Sequence, residues 1–305
     1  SSAQVMSLKK NIDQAVDLLA DVVLNPSFPL DEIERQRSSR LAELRQQREN
    51  APAIASRVAA AALFGDKHAY GYLELGTESA NKATQRDDLI AFWKKNYVPS
   101  NAALVVSGAM TGDEVKAMAQ AKFGQWQGAA SPIASLGKPE TTAARLVLVD
   151  QPDAPQTALQ LEAIGVERKS LDYAALQVLN GAFGGLFTSR LNTNLREQKG
   201  YTYGVGSGFQ FQRVSGTFTI SGSIRTDVTV PALKEIFKEI KAISAKPMLT
   251  QELEKARNAQ ILSLPARFET NSGMSASMAN IFAYDLGLDY YNGLANRFAA
   301  VTAKD

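Results

Sequence analysis

Apolar positions in the first part of the chain recur at helical spacing. Leu8, Ile12, Val16, Leu19 and Val23 form one series, with Ser7 placed to cap it and Asn25-Pro26 to stop it. Asp31 opens a second, mostly polar helix running to about Asn50, whose stripe is only Ile33, Leu41 and Leu44. Residues 51–64 read as a helix of small residues ended by Gly65-Asp66, 68–76 as a Gly/Tyr-rich loop, and 85–97 as a helix. Residues 102–107 (AALVVS) predict a buried strand and 113–123 a further helix. Beyond a Gly/Pro/Ser/Ala-rich stretch, period-two alternation predicts strands at 145–149, 157–163, 202–211 and 216–224, with helices at 171–183 and 228–244 between and after them. Strands paired antiparallel with helices inserted argue for an α+β fold.

The two sides of that stretch repeat one another. Glu32-Ile33-Glu34-Arg35-Gln36-Arg37 has a counterpart in Glu252-Leu253-Glu254-Lys255-Ala256-Arg257, 220 residues later, and both open a long helix. An amphipathic helix ending in a proline connector precedes each copy, and a small-residue helix follows each. Those helices end alike, in Phe64-Gly65-Asp66 and in Phe282-Ala283-Tyr284-Asp285. The expected organisation is therefore 1–128 as the later part of a first α+β repeat, 129–144 as linker, and 145–305 as a second repeat with an incomplete tail. In this reading the first repeat lacks its front.

Composition narrows the function classes. Thirty-three basic against 31 acidic residues give a net charge of +2 over 305 residues, so no field of one sign supports nucleic-acid binding. There is no cysteine, which excludes disulfides and thiolate metal sites. No apolar run approaches the ~20 residues a membrane-spanning helix needs.

The chemistry concentrates in residues 180–209, NGAFGGLFTSRLNTNLREQKGYTYGVGSGF. Gly181, Gly184 and Gly185 permit a bend or a close approach. Leu186, Phe187, Leu191 and Leu195 recur near helical spacing, and the pattern changes to period two from Tyr201. A short helix ending near Lys199-Gly200 and a following strand thus place Arg196 and Tyr203 on either side of one junction. The row Gly204-x-Gly206-x-Gly208 continues a strand and does not open a helix, so it is not a dinucleotide motif.

Asn180-Gly-Ala-Phe-Gly-Gly-Leu-Phe-Thr-Ser-Arg-Leu followed by Leu195-Arg-Glu-Gln-Lys-Gly-Tyr-Thr-Tyr203 resembles the second domain of insulinase-type (pitrilysin-like) zinc metallopeptidases, the group of mitochondrial processing peptidase. The resemblance extends to 18–49, the Leu75-Gly-Thr77 turn, Tyr97-x-Pro-x-Asn101 and Phe268-Glu-Thr270, and so covers nearly the whole chain. It implies two repeated α+β domains, each an antiparallel sheet covered by helices. In that family zinc is held by His-x-x-Glu-His on a helix of the first domain together with a later glutamate. This chain has one histidine, His68, which reads as a solvated loop residue. Glu43, in Glu34-Arg-Gln-Arg-x-x-x-Leu-x-Glu43, matches the helix of the third ligand but stands without the two imidazoles, and Gln36 occupies a position where the family often has a supporting acid. Zinc is thus expected in the complete enzyme and not in this chain alone.

The resemblance carries Arg196 and Tyr203 over as the pair that meets the substrate carbonyl, with Tyr201 as the alternative tyrosine and Gly184 and Gly185 beside the substrate. A guanidinium and a phenol can donate hydrogen bonds to the oxyanion of a tetrahedral intermediate. The expected function is the non-zinc-binding half of a bipartite metalloendopeptidase, its partners being the half or subunit that carries His-x-x-Glu-His and an extended peptide substrate. The rival is a structural core subunit with no catalytic role. Family habit points to the periplasm, with the cytoplasm as the alternative.

Overall fold

A computed structural model describes residues 1–65, 67–72, 74–129, 136–137, 139–140 and 143–305. The backbone clusters into two compact units. The first comprises residues 1–43, 76–135 and 266–283, and the second 44–75, 136–265 and 284–305. Of the expected linker at 129–144, residues 130–135, 138, 141 and 142 lie outside the described residues, as does Asp66 in the expected end of the small-residue helix.

The first unit is helical among its described residues. Helix α1 (Ile12–Leu24) follows a short 3-10 turn, so it starts later than Ser7 suggests. The Ser7 hydroxyl turns to Leu8 O and caps nothing. Helix α2 (Leu30–Gln47) leads out of this unit. Helices α4 (Glu78–Ala83), α5 (Arg86–Asn96) and α6 (Gly112–Phe123) complete it, with part of α11 (Asn271–Tyr284). Polar bonds tie α5 and α6 to the start of the chain: Trp93 Nε1 donates to Val23 O at 2.9 Å, Arg86 donates to Ser27 O and Phe28 O, and Lys9 pairs with Glu114 at 2.9 Å. Residues 102–107, expected as a strand, form no ladder with any described residue. Leu104 is exposed and only 105–107 are half-buried.

The second unit carries helix α3 (Ala51–Phe64), strand β1 (Gln156–Ile164), helices α7 (Tyr173–Asn180) and α8 (Arg190–Asn192), strands β2 (Thr202–Gln210) and β3 (Thr217–Arg225), and helices α9 (Thr229–Ala245), α10 (Thr250–Ser263) and α12 (Leu294–Ala299). The strands make one antiparallel sheet in the order β1-β3-β2. Its register sorts the side chains onto two faces. Leu159, Leu161, Phe218, Ile220, Ile224 and Val205 pack on Phe183, Leu191, Leu195, Ala232 and Ile236. Gln160, Glu162, Thr219, Ser221 and Ser223 line the other face. A second cluster, among them Tyr173, Val178, Leu253, Ala256, Leu294 and Phe298, joins α7, α10 and α12.

The expected strand at 145–149 is absent as well. Leu146 and Leu148 are 88% and 83% exposed, because apolar alternation makes a strand only where a neighbour accepts its backbone bonds. The fold is α+β. The repeated order of helices is also present: Ile12 to Thr229 spans 217 residues, Leu30 to Thr250 spans 220, and Ala51 to Asn271 spans 220.

Candidate functional site

The stretch 180–209 does not run as one regular helix into a strand. After α7 the chain widens into a π-helical turn at Gly181–Gly185, passes Leu186–Ser189, forms the single turn of α8, and widens again at Thr193–Gln198. Leu191 and Leu195 are wholly buried against the sheet. Gly200, at φ +63°, then reverses the chain: a left-handed residue closes the turn, its N–H donating to Arg196 O at 3.1 Å, and β2 begins two residues later.

Two glycines of the expected substrate wall differ in setting. Gly184 is buried against β2, where an added Cβ would lie 2.7 Å from Ser207 N, so the residue serves backbone approach. Gly185 is exposed, its nearest neighbour being the Asn180 amide. Asn180 is buried, and its Oδ1 accepts a 2.7 Å bond from Ser207 Oγ. Together these contacts close the outer edge of β2 near Ser207.

Arg196 projects from the second π-turn and sits over the Phe187 ring, with its guanidinium carbon 4.2 Å from the ring centroid. Nη1 is 3.5 Å from Glu197 Oε1, near enough for an ion pair, yet this buried nitrogen makes no hydrogen bond among the described residues. The rest of the guanidinium, on a side chain about a third exposed, is held on an aromatic platform and can donate to a carbonyl oxygen. Sequence reading placed Phe187 only in an apolar stripe. It is exposed because it serves the arginine and not the core.

Tyr203 is 90% exposed, and a β-bulge explains how. Thr202 pairs with Ile224 and Val205 with Gly222, so three steps along β2 match two along β3. The extra residue lets Thr202 and Val205 both point inward while Tyr203 and Gly204 stay outside. Tyr201, the alternative tyrosine, is half-buried and packs on the core beneath the sheet.

The two elements are tied to the rest of the unit by polar contacts that sequence reasoning missed. Arg190 forms a two-pronged pair with Glu252 of α10 at 2.5 and 2.6 Å. Asn194 Nδ2 donates to Glu239 at 2.7 Å and to Glu235 at 3.0 Å of α9, and the bond to Glu235, with that from Lys238 and with Lys199 nearby, holds the Glu235 carboxyl below its ordinary value. Asn192 Oδ1 accepts from Val205 N at 3.1 Å. Polar side chains at 190, 192 and 194 interrupting the Leu191/Leu195 stripe were the available signal.

Glu43 is exposed on α2, in the first unit, while Arg196 and Tyr203 belong to the second. No group of three His, Cys, Asp or Glu side chains capable of holding a metal occurs among the described residues. His68 is half-buried and not merely solvated: its Nδ1 accepts from Tyr70 N, its Nε2 bonds Gly137 O at 3.0 Å, and its ring stacks on Phe64. With both ring nitrogens occupied, it is a structural loop residue. No described helix is long and apolar enough to cross a membrane.

Comparison with known proteins agrees with this architecture. Residues 83–260 match the family model described as the peptidase M16 inactive domain, and residues 3–73 match the insulinase (peptidase family M16) model. An uncharacterized zinc protease of Mycobacterium leprae is 31% identical over 217 residues, 70% of this chain and 48% of the relative, so the chain spans about half that protein's length. A protein of Helicobacter pylori named a non-peptidase homolog is 26% identical over 305 residues, covering 98% of this chain and 68% of that one. Among solved structures, a peptidase M16 inactive domain from Pseudomonas fluorescens superposes with a TM-score of 0.91 at 26% identity, over 98% of this chain and 71% of that one.

Proposed function

The chain belongs to the insulinase-type peptidase family M16, and we propose that it acts as the non-zinc-binding half of a bipartite zinc metalloendopeptidase. In this reading Arg196 and Tyr203 stabilise the oxyanion that forms on the scissile carbonyl of an extended peptide. The zinc belongs to a separate half or subunit carrying His-x-x-Glu-His. The observation that carries the proposal is the presentation of the pair. The Arg196 guanidinium is held, partly exposed, over the Phe187 ring, and a bulge inserts one residue into β2 that keeps Tyr203 in solvent. A core tyrosine needs no such device, and a removed oxyanion donor typically costs about 3–4 kcal/mol of transition-state stabilisation.

The test is to combine the chain with its catalytic half and measure peptide cleavage. Arg196→Ala and Tyr203→Phe should each lower kcat by roughly 100-fold or more with little change in KM. Unchanged cleavage in both variants would favour the second reading, a structural core subunit, for which the name of the Helicobacter pylori relative is the support. Stoichiometric zinc in the purified chain would overturn the assignment of the metal to another half. A periplasmic location is part of the same proposal, checked by cell fractionation.

A further inference from the structure

We infer that Asn192 and Thr202 are positioning residues, a pair of side-chain clamps that fix the bulge and thereby aim Tyr203. The inference rests on the reading of Tyr203 given above. A bulge frees backbone groups from the ladder, and buried N–H groups left unpaired allow the segment to relax. Here the N–H groups of Gly204 and Val205, inside and at the end of the bulge, are both taken by side chains. Thr202 Oγ1 accepts from Gly204 N at 3.0 Å while its own O–H faces Ser223 O at 2.7 Å, which anchors the bulge to β3. Asn192 Oδ1 accepts from Val205 N at 3.1 Å from the opposite side, and its Nδ2 reaches toward Leu186 O at 3.5 Å. Both residues are buried.

The placement of Asn192 adds a second consequence. It lies in α8, one helical turn before Arg196 in the same continuous coil, so its amide links the element that carries the arginine to the strand that carries the tyrosine. Leu191 and Leu195 on either side are wholly buried, which leaves the amide little freedom to move independently of that coil. Neither clamp touches substrate in this arrangement. Each acts through Tyr203.

Amide hydrogen exchange on the full chain, resolved by residue, tests the clamp without needing cleavage. Asn192→Leu, close in shape and without an acceptor, should speed exchange at Val205 by about tenfold, the equivalent of one lost hydrogen bond. Ile220 in β3 should be unaffected. Asn192→Asp retains the acceptor and should restore protection at Val205. Thr202→Val, which keeps the β-branch, should have the matching effect at Gly204. Unchanged exchange at Val205 and Gly204, or equal loss there and at Ile220, would overturn the clamp, the latter because it marks a general role in folding. In the assembled peptidase, Asn192→Leu should lower kcat at constant KM and add nothing in a Tyr203→Phe background. Full additivity there would contradict action through Tyr203. A silent Tyr203→Phe would instead defeat the catalytic reading, and the exchange data alone would then decide the clamp.

Discussion

Alanine at position 184 tests whether β2 must approach the glycine turn as closely as it does. A Cβ there would lie 2.3 Å from Ser207 Oγ, 2.7 Å from Ser207 N and 2.8 Å from Ser207 Cβ. The hydroxyl can rotate away, at the cost of the 2.7 Å bond it donates to Asn180 Oδ1. The backbone nitrogen cannot, so either the π-turn or the strand has to shift. Overpacking of this kind costs about 1–3 kcal/mol, and the lost bond to a buried amide adds about 1 kcal/mol. The expected total of about 2–4 kcal/mol corresponds to a melting temperature lower by roughly 2–4 °C for each kcal/mol in a unit of this size.

Circular dichroism melts and urea denaturation of the purified chain provide the readout. Two controls isolate the cause. Ser207→Ala in the Gly184→Ala background removes the hydroxyl contact but leaves the backbone contact, so less than half of the loss should return. Gly200→Ala meets nothing within 4 Å and should show only the strain of its +63° φ, about 1 kcal/mol. A Gly184→Ala protein melting within a degree of wild type, or complete recovery in the double variant, would refute the requirement for backbone approach.

Two further outcomes are expected. Burial pushes the Glu162 carboxyl above its ordinary value, against the opposing bonds from Gln160 and Thr219. The folded chain therefore holds that proton more tightly than the unfolded chain, and this residue's contribution to stability falls as pH rises from the unfolded value of 4.5 through the raised folded one. Glu162→Gln should raise stability at pH 7 and leave it unchanged at pH 3, as read by urea midpoints; a loss at pH 7 would show that the charge is favourable. Thr111 caps α6, with its hydroxyl accepting from Glu114 N while the Glu114 carboxylate accepts from Thr111 N. Thr111→Ala should cost about 1 kcal/mol, and an unchanged denaturation midpoint would show the cap to be idle.

The helices were largely legible because their information is local. A 3.6-residue period marks a helix without reference to distant parts of the chain, but the caps were not read from it: Thr111 and Asn50 cap α6 and α3, while Ser7, the expected cap, caps nothing. The 220-residue repeat and the α+β class followed from the order of such elements. So did the junction at Lys199-Gly200, since Gly200 adopts the left-handed conformation expected of a residue closing a turn.

Strands required more. The apolar runs at 102–107 and 145–149 have the same local character as 157–163, yet only the last lies beside β3 and becomes part of the sheet. Composition selects the residues that can make a strand, while the presence of a partner backbone decides whether they do. The candidate site divides in the same way. The seven-residue interval from Arg196 to Tyr203 is visible in the sequence. A regular β2 would leave Tyr203 facing the same side as Val205, inside the core. The one extra residue at the bulge, with the buried side chains of Thr202 and Asn192 that accept from Gly204 N and Val205 N, turns that tyrosine outward. A bulge is a mismatch between two paired strands, so it exists only once both are in place.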